Sequence, residues 1–220
     1  MKGVIKKISS DPLGLIGLCL VTLMVISALG APIFAPYDPI QLNIMERLQG
    51  PSVNHLLGTD QLGRDLFSRV LFGGQVALKV AFLTIGLALI VGIVLGLIAG
   101  YGPAWLDNSI MLLFDTIRSV PTIMLALAAV TVVGPSITTV IFVVAVSSIP
   151  NYGRIVRTQT LTLKSKDFVK AEKLMGASLI RILSIHLLPN ILGPLLILAS
   201  MDIPTVIALE AGLSFLGMGV

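Results

Sequence analysis

Two aspartates, Asp115 and Asp202, stand inside long apolar stretches of this chain, and a pair of membrane carboxylates sharing one proton can activate water. Such chemistry calls for each carboxylate to sit in a short motif shaped to present it, such as a glycine beside the aspartate. Asp115 lies instead between Phe114 and Thr116, and Asp202 between Met201 and Ile203. An ionised side chain near mid-bilayer costs about 2.5–3.5 kcal/mol unless it is paired or faces water. Arg118, three residues after Asp115, is close enough on a helix to compensate it. The group therefore reads either as a structural ion pair near the inner leaflet or as the lining of a polar path. Pro121 frees a backbone carbonyl at a bend just beyond, and Pro204 adds a second kink beside Asp202. His55 and His186 are single histidines without the partner spacing of a metal site or a serine hydrolase, and both read as surface or capping residues. No glycine-rich loop ends in Gly-Lys-Ser or Gly-Lys-Thr, so the chain does not itself cradle nucleotide phosphates in the usual way. We assign no catalytic residue, no metal site and no cofactor bound by this chain.

The elements that must hold these residues are membrane helices. Hydrophobic residues make up 55% of the chain against 12% charged, where a globular domain carries about a quarter charged. A span needs roughly twenty apolar residues. By that measure there are five spans: Leu13 to Phe34, Val76 to Gly100, Ser109 to Val133, a shorter Ile137 to Tyr152, and Asn190 to Ala211. The expected fold is an all-α polytopic membrane bundle. Lys2, Lys6 and Lys7 precede the first span and place the N-terminus inside, which puts Ala35 to Gln75 outside and Tyr152 to Pro189 inside. Seven of the fifteen Lys and Arg residues fall in that last segment, so the formal charge of +4 reads as topology rather than as a nucleic-acid surface. Cys19 is the single cysteine and can form no intrachain disulfide.

Within the basic insert, Ser165 or Asp167 is placed to cap a helix starting near Phe168. Phe168, Ala171, Leu174 and Met175 recur at helical spacing, with Glu172 among them, and Gly176 suits the left-handed residue that ends the helix. Ser178 is expected to cap a second helix, Leu179 to Leu188, joined to the fifth span by Pro189 and Asn190. A short helix with a basic face and a glycine turn behind it is shaped to fit a groove on a soluble partner. Ala88, Gly92, Gly96 and Gly100 recur every four residues and make a flat face for close helix packing, read as intramolecular. In the outer loop, Thr59 or Asp60 is expected to cap a short helix, and Asp60–Arg64 and Asp65–Arg69 have ion-pair spacing. Asp60, Arg64 and Asp65 are the candidate contacts there for a partner arriving from outside.

At these residues the chain resembles the inner-membrane permease subunits of bacterial ABC importers. The family's cytoplasmic signature is Glu-Ala-Ala, a glycine four residues later, and then Leu-Pro. Here the run is Lys170-Ala171-Glu172, Gly176 and Leu188-Pro189, with Lys170 and Glu172 departing from it. Leu56 to Asp65, Leu97 to Tyr101 and Glu210 to Val220 are similar to the dipeptide, oligopeptide and nickel branch, and within it to the C-type permease. Members of that branch continue into a sixth span after the last of these motifs, so the resemblance implies that the sequence is truncated or is a partial record. It further implies a type I importer permease fold: an N-terminal span and outer loop over 1–75, and a transmembrane core over 76–220 with a coupling-helix insert at about 153–189. The implied partners are a homologous second permease, two cytoplasmic ATP-binding subunits that use ATP and Mg, an extracytoplasmic solute-binding protein, and the lipid of the bacterial inner membrane. The implied cargo is a peptide, with nickel or another metal chelate as the alternative.

Overall fold

The computed structural model describes residues 11–215, so the N-terminal lysines and the end of the last motif lie outside the described residues. These residues form two compact units divided between Lys79 and Val80. Apart from one isolated bridge between Thr59 and Asp65, their regular structure is helical.

In the first unit, helix α1 (Pro12–Leu29) starts where the Asp11 carboxylate accepts the Leu13 N–H at 3.1 Å, with proline at the first helical position. Only Ala28 of this helix is buried, as suits a span that faces lipid. A single turn, α2 (Ala31–Phe34), leads to the outer loop with its 3₁₀ turn at Ile44–Glu46. Helix α3 (Leu66–Tyr101) then begins nine residues before the Gln75 boundary read from hydropathy. The reason is local, because Asp65 caps it and the loop folds back on the cap.

The second unit contains the rest of α3 and four further spanning pieces. Helices α4 (Ala104–Arg118) and α5 (Thr122–Val133) make up the expected third span, but they meet at 79°. Pro121 has no N–H to continue the ladder and biases Val120 away from helical geometry. Helix α6 (Ile137–Lys164) passes through Pro150 and runs well beyond the Tyr152 boundary expected for span four. Hydropathy falls there, but Arg154 and Arg157 find acidic partners on α4 and the helix continues. After α7 (Asp167–Leu174) the chain enters one long helical run, built of α8 (Leu179–Arg181), a π-helical stretch (Ile182–Leu187) and α9 (Leu188–Phe215). Pro189 therefore does not separate two helices as the sequence reading expects. The wider π turns precede it, and its missing N–H falls where the register is already changing. Among the described residues, four helices are long and apolar enough to span, and five if the bent pair counts as one.

Helix α6 is the centre of this unit and packs against α4, α5 and α9. The glycine face of α3 also meets it closely. A Cβ placed on Gly92 would lie 2.7 Å from Tyr152 Cβ, on Gly96 2.6 Å from Val156 Cβ, and on Gly100 2.6 Å from Thr160 Cβ. The small-residue stripe is thus an intramolecular contact.

Candidate functional site

The basic insert presents α7 as a short exposed lever. Phe168, Leu174 and Met175 are 44%, 89% and 73% exposed, so the apolar face expected from the spacing, Ala171 included, is turned outward. What holds α7 in place is the opposite face, which the sequence reading missed. Val169 is fully buried, and the Glu172 carboxylate reaches back to within 3.5 Å of His186 Nε2 on the π stretch. His186 thus lies against Glu172 without a hydrogen bond between them, and the burial of Val169 is what anchors this face. The three-residue step from Val169 to Glu172 carried that signal.

Neither expected N-cap of α7 operates. Lys166 occupies the cap position without a side-chain bond, and Asp167 is already in the first turn, where it pairs with Lys170 at 3.2 Å. An acid there still favours the helix dipole. Gly176 does adopt the left-handed conformation, with φ +79°, and its N–H and that of Ala177 close the helix onto Lys173 and Glu172. Ser178 caps the next helix, accepting the Arg181 N–H at 3.4 Å.

Above the insert, α4 and α6 run antiparallel and are joined by three polar rungs. Arg157 grips Asp107 with both ends of its guanidinium, Nη2 donating to Oδ2 at 2.6 Å. Arg154 Nη2 donates to Asp115 Oδ1, and Arg118 Nη1 donates to Asn151 Oδ1 at 2.6 Å. The expected Asp115–Arg118 pair is therefore corrected: Asp115 is compensated across the helix pair rather than along its own helix. Arg118 sits in the last turn of α4, where the exposed carbonyls favour its charge and the bend carries it toward Asn151. Asp202 accepts a 2.7 Å hydrogen bond from the Tyr152 hydroxyl, which ties α9 to α6.

The outer loop is built around a buried histidine. His55, 5% exposed, places Nδ1 2.9 Å from Asp65 Oδ1 and Nε2 3.4 Å from Glu46 Oε2, with the Tyr37 ring 4.9 Å away. The hydrogen bond to Asp65 raises the His55 pKa; burial opposes it and Glu46 adds to the rise. Asp65 also accepts the N–H and hydroxyl of Ser68, both at 2.7 Å. Burial pushes its pKa up, but the bonds from Ser68 and His55 outweigh this and hold it below the ordinary value. At Asp60, burial is likewise outweighed by the N–H groups of Arg64 and Leu62 and by the Arg64 guanidinium.

Three sequence expectations are corrected here. His55 is a core residue of the loop, not a surface one. Asp65 caps α3 and faces Ser68, so Arg69 approaches Asp60 instead, at 3.8 Å. Thr59 and Asp60 fold turns rather than capping a short helix: Thr59 Oγ1 accepts the Gln49 N–H at 2.9 Å, and Asp60 Oδ1 accepts those of Leu62 and Arg64 at 2.8 and 3.0 Å. The Asp60–Arg64 pair forms at 2.7 Å, as its spacing predicts, and Asp65 is buried. The loop exposes apolar side chains, among them Ile40, Met45 and Val53, beside polar ones such as Asp38, Arg47 and Asn54.

Comparison with known proteins gives the arrangement a context. Residues 92–220 match the family model of the binding-protein-dependent transport system inner membrane component, and residues 1–51 match the N-terminal TM domain of oligopeptide transport permease C. The chain is 38% identical to the dipeptide transport system permease protein DppC of Alkalihalophilus pseudofirmus, over 97% of this chain and 70% of that protein. It is 38% identical to the di/tripeptide transport system permease protein DppC of Pseudomonas aeruginosa, over 93% of this chain and 69% of that one. It is 32% identical to the oligopeptide transport system permease protein OppC of Bacillus subtilis, over 100% and 72%. Among solved structures, the MetNI methionine ABC transporter in an inward-facing conformation superposes with a TM-score of 0.57 at 22% identity, covering 66% of this chain and 72% of that one. That likeness concerns the fold alone.

Proposed function

The chain belongs to the family of binding-protein-dependent transport system inner membrane components, and on that premise we propose that it is a permease subunit for peptide import. The relatives just described are peptide systems, which favours peptide over a nickel or metal-chelate cargo. In this reading a homologous permease supplies the other half of the pathway and a solute-binding protein delivers cargo from outside. Two ATP-binding subunits bind ATP and Mg and do the hydrolysis, so this chain transmits force and performs no catalysis.

The observation that carries the reading is α7: an apolar face turned outward, a left-handed glycine directly behind it, and a buried face braced to the helix that continues into the last span. Phe168, Ala171, Glu172, Leu174, Met175 and Gly176 form the docking unit in this proposal, and the burial of Val169 holds it in position. The test is Gly176→Val in the assembled transporter. A Cβ at Gly176 meets nothing within 4 Å, so the substitution acts through the backbone alone. A left-handed β-branched residue costs roughly 1–2 kcal/mol. Uptake should fall while ATP hydrolysis persists, and Gly176→Asn, which tolerates that conformation, should retain coupling. Full coupling in the valine variant would count against the docking role. So would labelling of a cysteine at Lys173 by an impermeant reagent in intact cells, since that would put α7 outside.

A further inference from the structure

The bend between α4 and α5 is lined by groups that the α4–α6 rungs do not neutralise. Asp107 is matched by Arg157 and Asp115 by Arg154, but Arg118 has only the neutral Asn151, which leaves one net positive charge at the break. Beside it is an open cleft of about 180 Å³ lined by Arg118, Pro121, Thr122, Ser147 and Asn151 among others. The Ser147 hydroxyl oxygen is buried there without a hydrogen-bond partner among the described residues. Helix α5, twelve residues long, starts at the same place, and no side chain caps it because Pro121 occupies the cap position. Its first N–H groups and the positive end of its dipole are therefore open toward the cleft. A cation inside a span is expensive unless something completes it, and half-helix N-termini at broken spans suit anionic groups.

We propose that this cleft is a transit site for the carboxylate of a peptide cargo, with the Arg118 guanidinium as the ion partner and Ser147 and Thr122 as hydroxyl donors. The proposal rests on the peptide-import reading. Asn151 acts as a positioning residue, holding the guanidinium at the mouth of the cleft through its 2.6 Å hydrogen bond. Every linear peptide with a free C-terminus carries this carboxylate, whatever its side chains. A site built on it would serve side chains of any size, as a shared pathway requires. It would also hold cargo loosely, because α4 contributes its negative C-terminal end next to α5's positive one.

The experiment uses the full transporter in proteoliposomes, supplied with preformed complexes of the binding protein with trialanine or with trialanine amide, and reads a single round of uptake. Preloading removes the binding protein's own preference from the comparison. With the wild-type chain the free carboxylate should be taken up roughly tenfold or more faster than the amide, the scale of one charge-assisted hydrogen bond. Arg118→Gln should bring that ratio close to one, and Arg118→Lys should keep part of it. Ser147→Ala is the second variant. Its hydroxyl has no partner in the empty protein, so its loss should leave assembly and cargo-free ATP hydrolysis unchanged and still reduce the ratio. If Arg118→Gln fails to assemble, the serine variant decides alone. An unchanged ratio in the assembled variants, or equal uptake of both peptides by the wild type, overturns the carboxylate site while leaving peptide import standing. Uptake of neither peptide by the wild type overturns the peptide reading on which it rests.

Discussion

Replacing Gly96 by alanine tests whether the contact between α3 and α6 fixes the second unit. The new Cβ would fall 2.6 Å from Val156 Cβ and 2.9 Å from its Cγ1. Carbon atoms rest at about 3.5–4.0 Å, so the helices must part by roughly 1 Å at that level. Tilting offers no escape, because Gly92 and Gly100 approach α6 equally closely one turn to either side. Forcing one carbon into a packed contact costs about 1–3 kcal/mol, while alanine recovers up to about 1 kcal/mol of helix propensity. Gly86 on the same helix supplies the reference, since a Cβ there meets nothing within 4 Å and only the propensity term applies. The difference between Gly96→Ala and Gly86→Ala therefore isolates the steric cost. At about 2–4 °C per kcal/mol for a chain of this size, Gly96→Ala should melt roughly 2–12 °C below Gly86→Ala. Heating the detergent-solubilised protein in steps and following the folded peak by size exclusion measures it. Indistinguishable melting of the two variants would show that α3 and α6 do not meet through this face.

Two further outcomes follow from the polar contacts. In the cross-helix pair, Asp115→Asn and Arg154→Gln should each lower the yield of folded protein and the double variant should recover it, because a lone charge is worse than none. Recovery in Asp115→Asn/Arg118→Gln instead would restore the within-helix pairing. In the outer loop, the raised His55 pKa means that its stabilising charge is fully present below about pH 6.5 and is lost as pH rises through the higher folded value. Protection of the 43–65 loop against proteolysis should thus decline toward alkaline pH. His55→Asn should flatten that dependence, and a loop equally protected at pH 6 and pH 9 would refute the tie.

Much of this arrangement was legible in the residues because it depends on period and conformation. Four-residue glycine spacing gave the α3 face, Gly176 gave its own left-handed turn, and Ser178 gave its cap. Long apolar stretches placed the spans to within a few turns, since burial in lipid is a property of composition. What escaped was pairing between distant segments. Asp115 has Arg118 three residues away and Arg154 thirty-nine away, and only the packing of α4 on α6 decides between them. His55, ten residues from Asp65 in a loop without periodicity, carries no local sign that it is buried. Helix ends were misread for the same reason: α6 continues past Tyr152 because its arginines meet α4, a contact that hydropathy cannot register.

The unbroken run from Leu179 to Phe215 sharpens the proposed mechanism. Had Pro189 ended a separate helix, a push on α7 would have been absorbed at a flexible joint. Instead α7 packs on the π stretch with Val169 buried, and the helix carries any displacement directly into the last described span. There the Tyr152–Asp202 hydrogen bond passes it to α6, whose rungs reach α4 and end at Arg118 beside the bend. One connected set of helices thus links the proposed docking face to the proposed carboxylate cleft.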